Sequence, residues 1–168
     1  MLGILLCGLL ASTQPESLRL TLLTTEGGFN PAEERFELEG DGQVSYRVWE
    51  LALGPAATES WSIARDRLDE IRRIVDPSRL QEMPDLLNAG EGASSAFMVR
   101  LEVVLGDRGR TMVAYPFGAP PLPPAFAEVV TAIRRLLTAD GSFPRSPSAM
   151  KRAQRFSGRL PSPPLPPE

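Results

Sequence analysis

The sequence of 168 residues contains no histidine, and this absence excludes more chemistry than any other feature of its composition. Without an imidazole, one chain cannot build a Ser-His-Asp or Cys-His catalytic group, a histidine-ligated zinc site or a histidine proton shuttle. Cys7 is the single cysteine, so an internal disulfide and a cysteine-rich metal site are excluded as well. Lys151 is the single lysine, and it lies far from the serines that it would have to activate.

Carboxylates are the remaining source of acid and base chemistry. Each group of acidic residues has a simpler role at a strand entry, at the N-terminus of a helix or in a turn, and these groups are Glu33-Glu34, Asp66 with Asp69 and Glu70, and Asp107. The pair Gly27-Gly28 lacks the later glycine and the following helix that a dinucleotide-binding loop requires. We therefore predict that the protein is not an enzyme and binds no metal and no small-molecule cofactor.

Charge of the two signs is unevenly distributed along the chain. Residues 1–140 carry 13 basic and 20 acidic side chains, whereas residues 141–168 carry five basic and one acidic. An acidic body repels phosphate backbones, and the basic end has Phe143 and Phe156 as its only aromatic residues, so we expect no nucleic-acid binding. The basic end is interpreted as a solvated tail.

The first residues, MLGILLCGLLAS, form an apolar run from Leu2 to Ala11. This run is shorter than the roughly 20 residues that cross a bilayer, and it resembles the apolar part of a secretory signal without a preceding basic residue or a good cleavage site. We interpret residues 1–16 as an apolar leader and candidate signal segment, which favours a secreted or cell-envelope location over a cytoplasmic one. A wrongly assigned start and an apolar segment that packs on the domain stay open, and beyond the leader no membrane association is expected.

Several segments alternate apolar and polar residues, the pattern of half-buried strands. The inward positions of the first three are Leu18, Leu20 and Leu22, then Phe36 and Leu38, then Val44, Tyr46 and Val48. Asp41-Gly42 suits a tight hairpin turn, so these strands are predicted to form an antiparallel meander. The segment around Trp61 and Ile63 either pairs with the third strand or begins the next helix. A second hairpin is predicted from Phe97 to Tyr115.

Two other stretches carry apolar residues three and four positions apart, as an amphipathic helix does. The shorter is predicted to start at Asp66 as its N-cap, and the longer has Pro123-Pro124 in its first turn and runs to Leu137. These patterns predict a two-layer α+β fold for residues 17–139, with an antiparallel sheet of about four to six strands, one long C-terminal helix and one shorter helix. Seven of the 17 prolines lie in the last 28 residues, so residues 140–168 are predicted to be a disordered Pro/Arg-rich tail.

The order of these motifs resembles the emfourin family of small bacterial proteins. The resemblance covers about residues 18 to 138 and rests on Gly27-Gly28-Phe29 between two strands and on the proline-started helix LPPAFAEVVTAIRRLL. It implies a proteinaceous inhibitor of a thermolysin-like metalloprotease. Glu26 departs from the family, whose members often have serine before the glycines.

The candidate protein-binding residues are Glu26, Gly27, Gly28, Phe29 and Asn30. If the chain inhibits a metalloprotease, glycines would let the backbone approach the enzyme and Phe29 would enter an apolar pocket. In the alternative, Phe29 folds back to fill the core. The other function that stays open is a secreted or envelope-associated structural or interaction module, of unknown partner and without inhibitory activity.

Overall fold

A computed structural model describes residues 17–76, 80–87, 89–91, 93–94, 96–117, 123–138, 146–153 and 156. The predicted leader at residues 1–16 and most of the predicted tail lie outside these residues. The strands are β1 Leu18–Glu26, β2 Ala32–Glu39, β3 Gln43–Glu50, β4 Ala57–Ser62, β5 Leu86–Leu87, β6 Met98–Leu105 and β7 Arg108–Ala114. The helices are α1 Arg65–Ile74, α2 Pro124–Thr138 and α3 Pro147–Ala153, and a 3-10 turn spans Leu51–Leu53.

The strands form one seven-stranded sheet in the order β4-β3-β2-β1-β6-β7-β5. Because side chains alternate between the two faces of a strand, the predicted inward residues of the first three strands align as rows on one face, as in the pairs Leu20–Leu38 and Phe36–Tyr46. The predicted meander is confirmed, and its tight turn contains Gly42 at φ 89°, closed by the Gly42 amide donating to the Glu39 carbonyl at 2.9 Å.

The segment around Trp61 is a strand, which settles the alternative left open by its pattern. β4 pairs with β3 through Trp61 and Val44, among other partners. The Trp61 indole donates to the carbonyl of Leu137 at 3.0 Å, so this edge strand is also attached to the last turn of α2.

The helices pack on one face of the sheet and bury its apolar rows. α2 buries Phe126, Ala127, Val130, Ile133, Leu136 and Leu137. α1 packs beside α2 and buries Leu68 and Ile71. The predicted N-cap was wrong: α1 begins at Arg65 with Ala64 as the N-cap, and Asp66 lies within the first turn, where its carboxylate complements the helix dipole.

The sheet differs from the prediction in strand number and in direction. The prediction of four to six antiparallel strands missed β5, which pairs in parallel with β7 through Leu86–Val113 and Leu87–Ala114. A strand of two residues has no room for an alternating pattern, so its sequence carried no signal. The α+β class holds, with a mixed sheet.

The prediction of disorder from residue 140 onward was wrong for residues 146–153. Ser146 caps α3 by accepting the Ala149 amide at 3.2 Å, and Pro147 occupies the first helical position. Ser146 also donates its amide and its hydroxyl to the Glu59 carboxylate at 2.9 and 2.8 Å. A helix of seven residues gains its stability from these tertiary contacts rather than from its own composition.

Candidate functional site

The connection from β1 to β2 lies at one end of the sheet, which we call the loop end. Here β1 ends at Glu26, β2 begins at Ala32, β3 ends at Glu50 and β6 begins at Met98. The opposite end, called the turn end, contains the Gly40–Gly42 and Gly106–Asp107 turns. Antiparallel pairing places all of these strand termini at one or the other end of the sheet. Loops that are distant in sequence therefore meet at the loop end.

The two glycines of the loop are required for different reasons. A Cβ on Gly27 would lie 2.2 Å from the Cβ of Ala96, so a side chain cannot fit where the loop packs on the segment before β6. Gly28 has φ 94°, which L side chains rarely adopt, and no atom lies within 4 Å of the position that a Cβ would occupy there. Gly27 therefore allows close packing, and Gly28 redirects the chain into solvent.

Phe29 is fully exposed, at 107% of its reference surface. The alternative in which its ring fills the core is therefore wrong. Burying a phenylalanine side chain is worth about 1.5–3 kcal/mol, and this ring leaves that free energy unused in the isolated chain. It is available to a partner that covers the ring.

Asn30 fixes the base of the loop to the 3-10 turn that follows β3. Its side-chain amide donates to the Glu50 carboxylate, and its side-chain oxygen accepts the Ala52 amide at 2.8 Å. The Leu51 amide donates to the Pro31 carbonyl at 3.0 Å. Three hydrogen bonds thus hold the loop in place below an unburied aromatic ring.

The five predicted binding residues divide into two groups. Gly28 and Phe29 are exposed, whereas Gly27 and Asn30 support the loop. Glu26 is buried at 8% exposure on the helix-covered face at the end of β1, so it does not present its carboxylate to solvent. The exposed part of the loop therefore contains two of the five residues that the sequence analysis predicted to bind a partner.

Aromatic residues that were not among the predicted binding residues lie beside this loop. Phe97 follows Ala96, and its ring meets that of Phe117 edge to face with centroids 5.2 Å apart. Together with Thr25, Val99, Pro116 and Phe156 they line a narrow cavity of about 30 Å³, large enough for one or two waters. No sequence period connects these residues, because they come from four separate segments.

A buried ion pair lies under the loop end, between Glu34 of β2 and Arg134 of α2. The Glu34 side chain is 1% exposed and also accepts a hydrogen bond from the Tyr46 hydroxyl at 3.1 Å. Arg134 lies over the Phe36 ring, 5.9 Å from its centroid. A signal for Glu34 was present in the sequence, since it stands in phase with Phe36 and Leu38 and therefore on the inward face.

Burial raises the pKa of Glu34 from 4.5 to about 7, against the opposing effects of the Arg134 charge and the Tyr46 hydrogen bond. The pKa of Tyr46 is raised by its own burial and by the nearby Glu34 carboxylate. Because Glu34 has no surface open to solvent, it cannot reach an external substrate. The arrangement ties α2 to the sheet and does not resemble an accessible acid-base pair.

Within the described residues, no group of three or more acidic or cysteine side chains is arranged to hold a metal ion. Likewise, none of the described helices combines the length and apolar character needed to cross a membrane.

Comparison with known proteins adds no relative from which a role can be transferred. No protein-family model matches the chain, and no curated protein matches it either.

Proposed function

We propose that this chain is a non-enzymatic protein-binding domain that presents Phe29 to a partner protein, and that the partner is a thermolysin-like metalloprotease which it inhibits. The observation that carries the proposal is the full exposure of Phe29 on a loop whose base is hydrogen-bonded. The choice of a metalloprotease rests on the resemblance of the motif order to the emfourin family.

The exposed ring has the properties of an interface anchor. Aromatic side chains that enter a partner's pocket contribute a large share of the binding free energy at many interfaces. A loop that is already fixed loses little conformational freedom on binding, which favours affinity. Gly28 adds no side chain beside the ring, so a partner can approach the backbone there.

The test is a titration of the full chain against thermolysin, with cleavage of a peptide substrate as the readout. The expected result is inhibition by the wild type, weakened about thirtyfold by Phe29→Ala, which corresponds to about 2 kcal/mol for an anchor residue. Leu86→Ala is the matched control, because Leu86 is an exposed apolar residue on the far edge strand β5.

Equal inhibition by wild type and Phe29→Ala would show that the loop is not the contact. If the wild type binds thermolysin without slowing cleavage, the alternative function of a structural or interaction module without inhibitory activity is favoured. If it does neither, the metalloprotease proposal is lost.

A further inference from the structure

We propose that the Leu51–Leu53 turn is a second contact element of the same surface, and that the partner has an apolar cleft with a positively charged rim. This inference rests on the proposed function, because it takes Phe29 as the first contact. It adds a specific residue, Leu51, and a statement about the partner's charge.

The exposed apolar residues are concentrated near the loop end. Among the described residues, five large apolar side chains are exposed, and they are Phe29, Leu51, Leu86, Phe117 and Met150. Phe29 and Leu51 lie on the two connections that Asn30 joins, and Phe117 lies on the other side of the loop, against Phe97. Such clustering of exposed apolar surface marks interaction sites.

Leu51 is 55% exposed, although hydrogen bonds hold the backbone of its turn on both sides. Above the turn, Asn30 accepts the Ala52 amide, and the Leu51 amide donates to the Pro31 carbonyl. Below it, the Arg152 guanidinium donates to the carbonyls of Leu53 and Pro55 at 2.7 and 3.1 Å. Leu51 is therefore presented by a fixed turn, and the contacts of Asn30 place it beside the Phe29 loop.

The charge at the loop end is negative, and its sign favours a partner with a positively charged surface. Residues 26–34, 48–57 and 88–99, which include three of its connections, contain five glutamates and no lysine or arginine. Of these, Glu33 and Glu50 are partly exposed and Glu91 is exposed. The guanidinium of Arg152 is instead buried beneath the turn. A partner that matches this surface covers the apolar side chains and places positive charge near the carboxylates.

The test uses thermolysin as the probe, with the affinity of the full chain measured by calorimetry. Leu51→Ala is expected to weaken binding by about tenfold, whereas Leu86→Ala, which removes a side chain of equal 55% exposure, is expected to change it by less than about twofold. Raising salt from about 0.05 M to about 0.5 M is expected to weaken binding, and Glu33→Gln is expected to reduce that salt dependence.

The outcomes separate this inference from the proposed function. If Phe29→Ala weakens binding and Leu51→Ala behaves like Leu86→Ala, the second contact is refuted and the Phe29 contact stands. Binding that is independent of salt refutes the charged rim. If the wild type does not bind thermolysin at all, the proposed function and the inference both fail.

The coupling of the Phe29 loop to the Leu51–Leu53 turn through Asn30 can be measured without a partner protein. Asn30→Ala removes both side-chain hydrogen bonds, whereas Glu50→Ala removes the one that Asn30 donates and keeps the Asn30 oxygen that accepts the Ala52 amide. Hydrogen exchange of the Ala52 amide is expected to accelerate at least about tenfold in Asn30→Ala and less in Glu50→Ala. Unchanged exchange in Asn30→Ala would show that the two loops are not coupled through this residue.

Discussion

The two ends of this sheet share the same strands and differ in what lies at their termini. At the turn end, Glu39 to Gly42 reverse the chain in a tight turn, and the Ile63 and Gly106 amides donate to the Gly42 and Ser17 carbonyls at 2.9 Å. The loop end instead carries Phe29 in solvent, above a base of side-chain hydrogen bonds. Exposed apolar surface is therefore not a general property of the connections in this protein.

The interior beneath the two ends also differs. Under the turn end, the fully buried side chains are apolar and include Leu18, Leu20, Leu38, Val44 and Val103. Arg110, which pairs with Val103 in the sheet, is partly exposed and forms an ion pair with the exposed Asp85. Toward the loop end, the same face carries Thr24, Glu26 and Glu34, with Arg134 above them. The loop end thus contains a buried ion pair whose contribution to stability depends on pH, whereas the buried side chains of the turn end contribute through apolar burial.

The largest effect is expected from removing the positive partner of Glu34. Arg134→Ala should lower the free energy of unfolding by about 3–5 kcal/mol at pH 8, because it leaves a buried carboxylate without its cation. The loss should be smaller at pH 5, where Glu34 is protonated in the folded state. Urea denaturation measures both values. Arg135→Ala, whose side chain is 69% exposed, is the matched control and should change stability by less than about 0.5 kcal/mol.

The second prediction concerns the pH dependence of stability. The folded state raises the pKa of Glu34 from 4.5 to about 7, so it binds this proton more tightly than the unfolded chain does. The resulting stabilisation is complete below about pH 4.5 and is lost as pH rises through 7, a change of about 3 kcal/mol. The Tyr46 hydroxyl, which donates to this carboxylate, has a raised pKa and therefore stays neutral across this range.

Glu34→Gln isolates this contribution, because all other titrating groups are common to both proteins. The difference in unfolding free energy between wild type and variant should therefore vary with pH from 4.5 to 8, in favour of the wild type at low pH. A difference that stays constant over this range would contradict the assignment.

The smallest effects are expected at the two glycines, and they distinguish packing from backbone conformation. Gly27→Ala should lower stability by about 1–3 kcal/mol, because its Cβ overlaps that of Ala96 and the segment before β6 must shift. Gly28→Ala meets no atom and should cost about 1–2 kcal/mol through its left-handed backbone alone. Thermal unfolding, with amide chemical shifts of Ala96, separates the two: only Gly27→Ala should move those shifts.

The parts of the fold that were predicted correctly are those in which one chain segment contains the whole signal. Leu20 and Leu22, or Phe36 and Leu38, alternate within their own strand, and Asp41-Gly42 is sufficient for its turn. β5 and α3 were missed because they are short, and their stability comes from distant partners such as Val113 and Glu59. Local pattern cannot report contacts that exist only after folding.

The same distinction between local sequence pattern and contacts made on folding applies to the candidate site. The sequence identified Gly27-Gly28-Phe29 as a shaped connection between two strands, but two glycines remove any periodicity from which the direction of Phe29 could be inferred. Glu26 was predicted to contact a partner and Glu34 to be a solvated residue at a strand entry, but the strand register places both on the covered face. The sequence around Leu51 showed no pattern from which its role at the site could be predicted.

By itself, the sequence determined the α+β class, the main strands and helices, and the absence of histidine chemistry, because composition and periodicity are properties of the chain alone. The tertiary structure decided that Phe29 faces solvent, that Asn30 joins its loop to Leu51, and that Glu34 and Arg134 meet in the interior. The physical reason is that exposure, coupling and pKa depend on what surrounds a side chain, and strand pairing together with helix docking brings those surroundings from distant segments.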